Sequence, residues 1–320
     1  MIEKLADAPR MLAEAELRPV QGDRFQPTGF AELGAATYEL ADGTRKLLVE
    51  SSQSMANRLE SAVMKPDGEI IPELEGLSYV RANLQGDAEV KTTTLLEAHR
   101  LNSPYIISHG DFHDRFVEEA GYSRTGLIDW ARLARTLFRY DVNSLLHGIF
   151  LSNVEDGRMR IPRAVSAFIE ATDVNEAVSG GVKNNPLDPQ GNLRTETQKK
   201  NVYGNVPYTR TEYTAGDIRA YFNIDLARLR SYGLGDTATR LLVSLALLKI
   251  RRFLNTGLRL RTACDLSLVD DVHVTAPEGM AIPSEDSLLG ELRGDIEACA
   301  DMFASPPVTE LDVDVVLKKS

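Results

Sequence analysis

The stretch "ATYELADGTRKLLVES", residues 36–51, runs without a linker into "SQSMANRLESAVM", residues 52–64. Two β-rich runs flank Asp42-Gly43, a dipeptide suited to the positive backbone angles of a tight hairpin turn. Ser51, Ser52 and Ser54 then supply helix N-cap side chains. A strand that feeds a helix through a Ser-rich turn points free backbone N–H groups outward, which suits a phosphate. Hairpin followed by helix predicts an α+β chain.

Working outward, residues 2–16 read as a helix with Leu5, Met11, Leu12 and Ala15 on one side, weakened by Pro9. Residues 16–30 read as extended chain. "YVRANL" reads as a strand, "DFHDRFVEEAGY" as a short helix and 126–140 as a helix carrying Leu127, Trp130, Leu133, Leu137 and Phe138 at helical spacing. "SLLHGIFLSNV" and "RAVSAFIEATDV" read as consecutive strands across a turn at Asp156-Gly157. The longest helix is expected over 236–256, closed by Gly257. "LRLRTACDL" reads as one strand, 284–303 as an acidic amphipathic helix and "VTELDVDVVL" as a closing strand. Residues 179–214 differ in composition, being rich in Gly, Asn, Thr and Pro, and their ends are expected to form the base of a protruding hairpin.

A hydrophobic content of 43% places the chain among soluble globular proteins. No apolar run approaches the roughly 18 residues of a membrane span. The acidic N-terminus lacks an apolar h-region, and Cys264 and Cys299 lie far apart, so a reduced, cytoplasmic protein is expected. The net charge of −11 is uneven. Residues 267–320 hold three Lys/Arg and twelve Asp/Glu, so most of the acidity sits there. Nucleic-acid binding follows local charge rather than the total.

Four polar segments suit RNA. Arg18, Gln21, Arg24 and Gln26 surround a Gly turn; Ser52, Gln53, Ser54, Asn57 and Arg58 open a helix. Gly180 and Gly181 read as a loop that brings backbone to phosphate beside Lys183 and Asn184. Lys199, Lys200 and Arg210 alternate with Tyr203, Tyr208 and Tyr213, combining charge for phosphate with faces for base stacking. A fifth segment, "KIRRFLNTGLRLR" at 249–261, holds five cations and no acid. Lys249, Arg251 and Arg252 are explained by the C-terminal dipole of a helix. Arg259 and Arg261 share one strand face, opposite Leu258 and Leu260, and need an anion. The acidic C-terminal region and RNA phosphate are both open as its source. His109 and His113 have Gly110 between them and no Glu where a zinc-protease pattern requires one, so no metal site is expected. Nor does a catalytic constellation stand out.

The ordered blocks "AELRPVQGDRFQPTGFAELGAATYEL", "LVESSQSMANRLE", "LLEAHRLNSPYI", "GLIDWARLARTLFRYDVNSLLHGIFL", "SGGVKN", "YGNVPYTRTEYTA" and "LALLKIRRFLNTGLRLRTACDL" carry a resemblance. They resemble the CRISPR-associated RAMP proteins of the type I-U system, also called type I-G, from about residue 12 to about residue 266. The resemblance implies a modified RRM, or ferredoxin-like, palm with inserted finger and thumb elements. It implies a single RAMP domain over 1–320, with the acidic region 267–320 inside the same domain; the composition of 179–214 makes that insertion the candidate for the thumb. It further implies a non-catalytic crRNA-binding backbone subunit of a Cascade surveillance complex, several copies of which line up head to tail along one guide. Its partners would be crRNA, target DNA through the guide, further copies of itself and other subunits, with no membrane and no cofactor. The residues expected to bind RNA are those named in the first three segments, then Lys199, Lys200, Arg210 and Tyr213, and Lys249, Arg252, Arg259 and Arg261. Type III relatives cut target RNA with a loop Asp, whose nearest counterpart is Asp23. An alternative within the superfamily is an endoribonuclease that processes the crRNA precursor, using His109 and His113. A third reading, from another class, is an assembly protein that contacts no RNA.

Overall fold

In the computed structural model, residue 5 and residues 7–30, 32–85, 90–193 and 204–315 are described. The first long element is a strand, β1 (Met11–Pro19). Met11, Ala13, Ala15 and Leu17 are buried in strict alternation, the two-residue period of a sheet with one face packed. This corrects the helix expected over 2–16. The Ala/Glu-rich run favours helix locally, but β1 is paired along both edges, and that pairing outweighs propensity.

Two short strands, β2 (Gly29–Phe30) and β3 (Gly34–Ala35), precede the expected hairpin, β4 (Thr37–Glu39) with β5 (Arg45–Glu50). Gly43 takes a φ of 86°, and Asp42 accepts from the Thr44 N–H at 2.9 Å. Helix α1 (Ser52–Ser61) follows, capped by Ser51, whose Oγ accepts from the Ser54 N–H at 3.3 Å. An excursion then comprises β6 (Tyr79–Gln85), β7 (Val90–Thr93), α2 (Pro104–Ile107), α3 (Gly110–Ala120), α4 (Trp130–Tyr140), α5 (Val142–His147), β8 (Ile149–Phe150) and β9 (Arg160–Ile161). The chain returns through β10 (Val165–Thr172), β11 (Asn175–Lys183), β12 (Val206–Thr214), β13 (Asp217–Ile224), α6 (Leu226–Ser231) and α7 (Asp236–Asn255). It closes with β14 (Leu258–Arg261), β15 (Cys264–Leu268), β16 (His273–Ala276), α8 (Glu285–Ala298) and β17 (Val308–Asp314).

The main sheet runs β14-β15-β1-β13-β10-β5-β4, with β16 also on β1, and every pairing in it is antiparallel. Taken as β1, α1, β10, β13, α7 and β15 or β16, its centre has the strand order fourth, first, third, second. That is the ferredoxin-like palm of an α+β fold, with insertions between its elements. One face is closed by α1 and α7. Ala167 and Ile169 of β10 and Ala220 and Phe222 of β13 are buried on that side, and the Phe222 ring meets Phe253 of α7 at 6.5 Å. The ribbon β11–β12 grows from the loop between β10 and β13, with Ser179 opposite Arg210. β17 joins β6 in parallel, making a separate three-stranded sheet with β7.

Three further expectations are corrected. Residues 144–147 are helical, in α5, and the hairpin around Asp156-Gly157 is reduced to β8 and β9. A short apolar run does not distinguish a buried helix from a strand. α4 starts at Trp130 with Asp129 as its cap, so Leu127 lies outside it, fully exposed, and Trp130 is half exposed. "LRLRTACDL" is two strands turning through Ala263, whose φ is 58°.

Candidate nucleic-acid interface

Glu50, the last residue of β5, is 1% exposed, and its carboxylate accepts from both Arg58 and Arg261. Arg58 lies on α1, at 3.5 Å; it also donates to the Leu260 carbonyl at 2.6 Å. Arg261 also donates to the Gln26 carbonyl, at 3.1 Å. One buried acid thus fixes two guanidiniums from elements far apart in sequence. The anion facing Arg261 is therefore Glu50, which belongs neither to the acidic C-terminal region nor to RNA. Arg259 is exposed and has no hydrogen bond or ion pair among the described residues.

The segment 24–28 is a strap across the palm. Phe25 and Tyr213 exchange backbone hydrogen bonds of 2.9 Å, Gln26 N–H donates to the Ala263 carbonyl at 2.7 Å, and Thr28 N–H to that of Val49 at 3.0 Å. The ribbon base is tied to the strap by charge. Glu212 lies 3.4 Å from Arg24 and 3.8 Å from Arg210, and accepts from Ser179 Oγ at 2.9 Å. Arg210 also reaches Gln26 Oε1 at 3.4 Å, and its guanidinium lies 5.8 Å from the Tyr208 ring centre.

Two open clefts result. The first, about 550 Å³, is lined by Gln26, Thr28, Gly34, Thr211, Tyr213 and Arg261. The second, about 600 Å³, is lined by Ser54, Asn57, Arg58, Arg252, Thr256 and Arg259. Arg261 of the first and Arg58 of the second share Glu50 Oε2, so one buried carboxylate links the walls of the two clefts. Polar side chains that donate without base specificity, set beside guanidiniums, fit a phosphate backbone.

Other expected residues are placed differently. Arg18 and Gln21 are exposed but line neither cleft; in the first turn of α1, half-buried Ser52 and exposed Gln53 line neither as well. Gly180 and Gly181 are not a loop: they pair with Thr209 and Tyr208 inside the ribbon. A Cβ at Gly180 would meet the Tyr208 carbonyl oxygen at 2.8 Å, which explains the glycine without a phosphate. Lys183 and Asn184 are exposed at the far end of β11. Tyr213 is buried, which pushes its phenol pKa up and removes its face from stacking. Lys199, Lys200 and Tyr203 lie outside the described residues.

The reading of Lys249 as a helix-end cation is corrected. Its side chain is 1% exposed; Nζ donates to Asn143 Oδ1 and lies 3.0 Å from His147 Nε2. Burial lowers its pKa to about 8 and pushes that of His147 well down, leaving the imidazole an acceptor for Lys249. No phosphate reaches this ammonium. Arg251 and Arg252 do find acids of the C-terminal region: Arg251 pairs with Asp271, and Arg252 with Glu285 at 3.5 Å. His113 Nδ1 lies 3.3 Å from Asp114, and neither it nor His109 lines a cleft. The residues that sequence reasoning missed are Glu50, Glu212, Thr28, Thr211 and Thr256. Only Glu50 left a trace, as an acid closing the inward run "LLVE".

The sequence model of the family described as CRISPR-associated protein GSU0053 (Cas_GSU0053) matches residues 11–176. No curated protein matches the chain. Among solved structures, one described as "CRISPR RNA-guided surveillance complex, pre-nicking" aligns at 16% identity and TM-score 0.42, covering 91% of this chain and 89% of that one. A second, "CRISPR RNA-guided surveillance complex", aligns at 15% identity and TM-score 0.37, covering 92% and 80%. Csc2 of Thermofilum pendens aligns at 8% identity and TM-score 0.31, covering 94% and 79%.

Proposed function

Because the chain belongs to the CRISPR-associated protein GSU0053 family, we propose that it is a crRNA-binding backbone subunit of a CRISPR surveillance complex. In this reading the system is of type I-U, or I-G, and copies assemble head to tail along one guide. Base pairing by the guide reads the target DNA, while the protein holds the RNA backbone. The ribbon β11–β12 serves as the thumb, and the chain itself cuts nothing.

The observation that carries the reading is the second cleft. Arg58, Arg252 and Arg259 converge there with the Ser54 hydroxyl and the Asn57 amide, on an open surface of a ferredoxin-like palm. Through Glu50 its wall is linked to Arg261 of the first cleft, beside the ribbon base. Guanidiniums already fixed by Glu50 lose little freedom on meeting a phosphate.

The test is to express the chain with its CRISPR array and purify it. A raised 260/280 nm absorbance ratio, a discrete crRNA on sequencing and a large assembly on sizing are expected, and added precursor should stay intact. A nucleic-acid-free monomer without salt-sensitive RNA binding would overturn the proposal. Precursor cleavage lost in His113→Ala would replace it with the processing-enzyme reading.

A further inference from the structure

The palm has a second face, turned away from α1 and α7. It is formed by Leu12, Glu14, Glu16 and Arg18 of β1, Ser166, Phe168 and Glu170 of β10, and Asp217, Arg219, Tyr221 and Asn223 of β13. Alternation puts these side chains opposite the buried set. Among the described residues no helix covers them.

At its centre the rings of Phe168 and Tyr221 stack with centroids 5.0 Å apart and planes 25° from parallel. Beside them is a cleft of about 250 Å³ lined by Leu12, Glu14, Ser166, Phe168, Asn223 and Thr275. Asn223 Oδ1 is buried there with no hydrogen-bond partner among the described residues. An unpaired buried acceptor costs free energy until a donor arrives.

Aromatic side chains on an open sheet of this topology invite comparison with base stacking. The surrounding charge argues against it. Glu14, Glu16, Glu170 and Asp217 surround the rings, with Lys46 and Arg219 among them and Arg18 further along β1, at the rim of the face. Lys46 and Arg219 are already taken. Arg219 lies 2.9 Å from Asp217, 3.5 Å from Glu14 and 3.8 Å from Glu16, and Lys46 lies 3.0 Å from Glu170. A phosphate chain laid across the rings would meet excess carboxylate, with Arg18 at the rim as the face's one cation not already paired among the described residues, whereas the Arg-lined clefts offer the reverse.

We propose that this face docks a protein segment in which an apolar side chain is flanked by arginine or lysine. The apolar group enters the cleft between Leu12 and Phe168. A neighbouring N–H or guanidinium donates to Asn223 Oδ1, and the flanking cations meet Glu14 and Glu16. Charge complementarity selects the partner, and the aromatic pair supplies the apolar contact. This inference does not depend on the crRNA reading.

The probe is a short labelled peptide of alternating arginine and leucine, titrated into the full chain by fluorescence anisotropy. A peptide of alternating glutamate and leucine and labelled oligouridine are run beside it. Glu14→Gln and Tyr221→Ser are each expected to weaken the cationic peptide by about tenfold. Glu297→Gln, on the exposed side of α8, should change nothing, and oligouridine should bind all variants alike. Thermal melts identify any variant that fails to fold, and Glu14→Gln, a surface change, keeps the test alive if Tyr221→Ser does. Equal binding of the cationic peptide to wild type and Glu14→Gln overturns the proposal. So does oligouridine binding that Tyr221→Ser weakens, which would make this a nucleic-acid face. Self-association lost in Glu14→Gln without peptide binding would assign the face to a second copy, and overturns it equally.

Discussion

Glu50 sets two effects against each other. Its carboxylate holds Arg58 and Arg261 in place, and it also neutralises charge that a phosphate would otherwise meet. Glu50→Gln leaves two half-buried guanidiniums without their acid, so stability should fall by roughly 2–3 kcal/mol, less than for a fully buried pair because both arginines are partly solvated. RNA affinity should hold or rise at the same time. Thermal melts and RNA titration of one variant read both, and a fall in affinity with unchanged stability would show that Glu50 does not act through the arginines. At this scale the sequence was legible in part. Two arginines on one strand face do need an anion, and Arg261 has one. Its partner is 211 positions away, and nothing local announces such a pair. Lys249 was opaque for the same reason, since Asn143 and His147 reach it from α5, whose packing only the fold creates.

The ribbon agrees with the sequence in kind but not in bounds, since its base lies at Asn175 and Thr214 and 179–183 run toward its far end. Its composition marked 179–214 as a protruding hairpin, and β11 and β12 pair from Asn175 to Lys183 in unbroken register. The glycines were misread because a Gly pair suits a loop as well as a strand approached closely by another backbone. Gly180→Val should therefore push the Tyr208 carbonyl away and loosen the ribbon while leaving the palm intact. Hydrogen exchange should speed up within 175–183 and 206–214 and stay slow in β10 and β13. Uniform acceleration would mean that the ribbon is part of the palm's cooperative unit. The 36–61 hairpin and helix were legible because turn dipeptide and N-cap are local chemistry. β1 was not, because its Ala/Glu run is helix-prone and only its neighbours on both sides make it a strand. α5 was lost to the ambiguity of a short apolar run.

Across the whole molecule, a buried polar network joins α1, α5 and α7. Glu60 accepts from Arg100 at 2.6 and 2.8 Å and from Asn143 at 2.6 Å, and Asn143 accepts from Lys249. Asp141 sits beside it, fully buried, accepting from Ser144 at 2.5 Å with its other oxygen unpaired. Burial raises its pKa to about 6. The folded state then holds this proton more tightly than the unfolded chain. The Asp141 contribution is best below about pH 4 and is lost as pH rises to about 6, by on the order of 2–3 kcal/mol. Asp141→Asn mimics the protonated acid. Its stability should match wild type near pH 4 and exceed it by that amount at pH 7, as read by denaturant melts. A gap independent of pH would rule this out.

The central claim is that guide RNA lies along the two clefts whose arginines share Glu50. It is tested most directly by the salt dependence of crRNA affinity in wild type and in Arg259→Ala, which removes a cation that has no partner to disturb. Binding should be weaker at every salt concentration, with a log–log slope shallower by about one unit. Unchanged affinity and slope, with the fold intact, would contradict it.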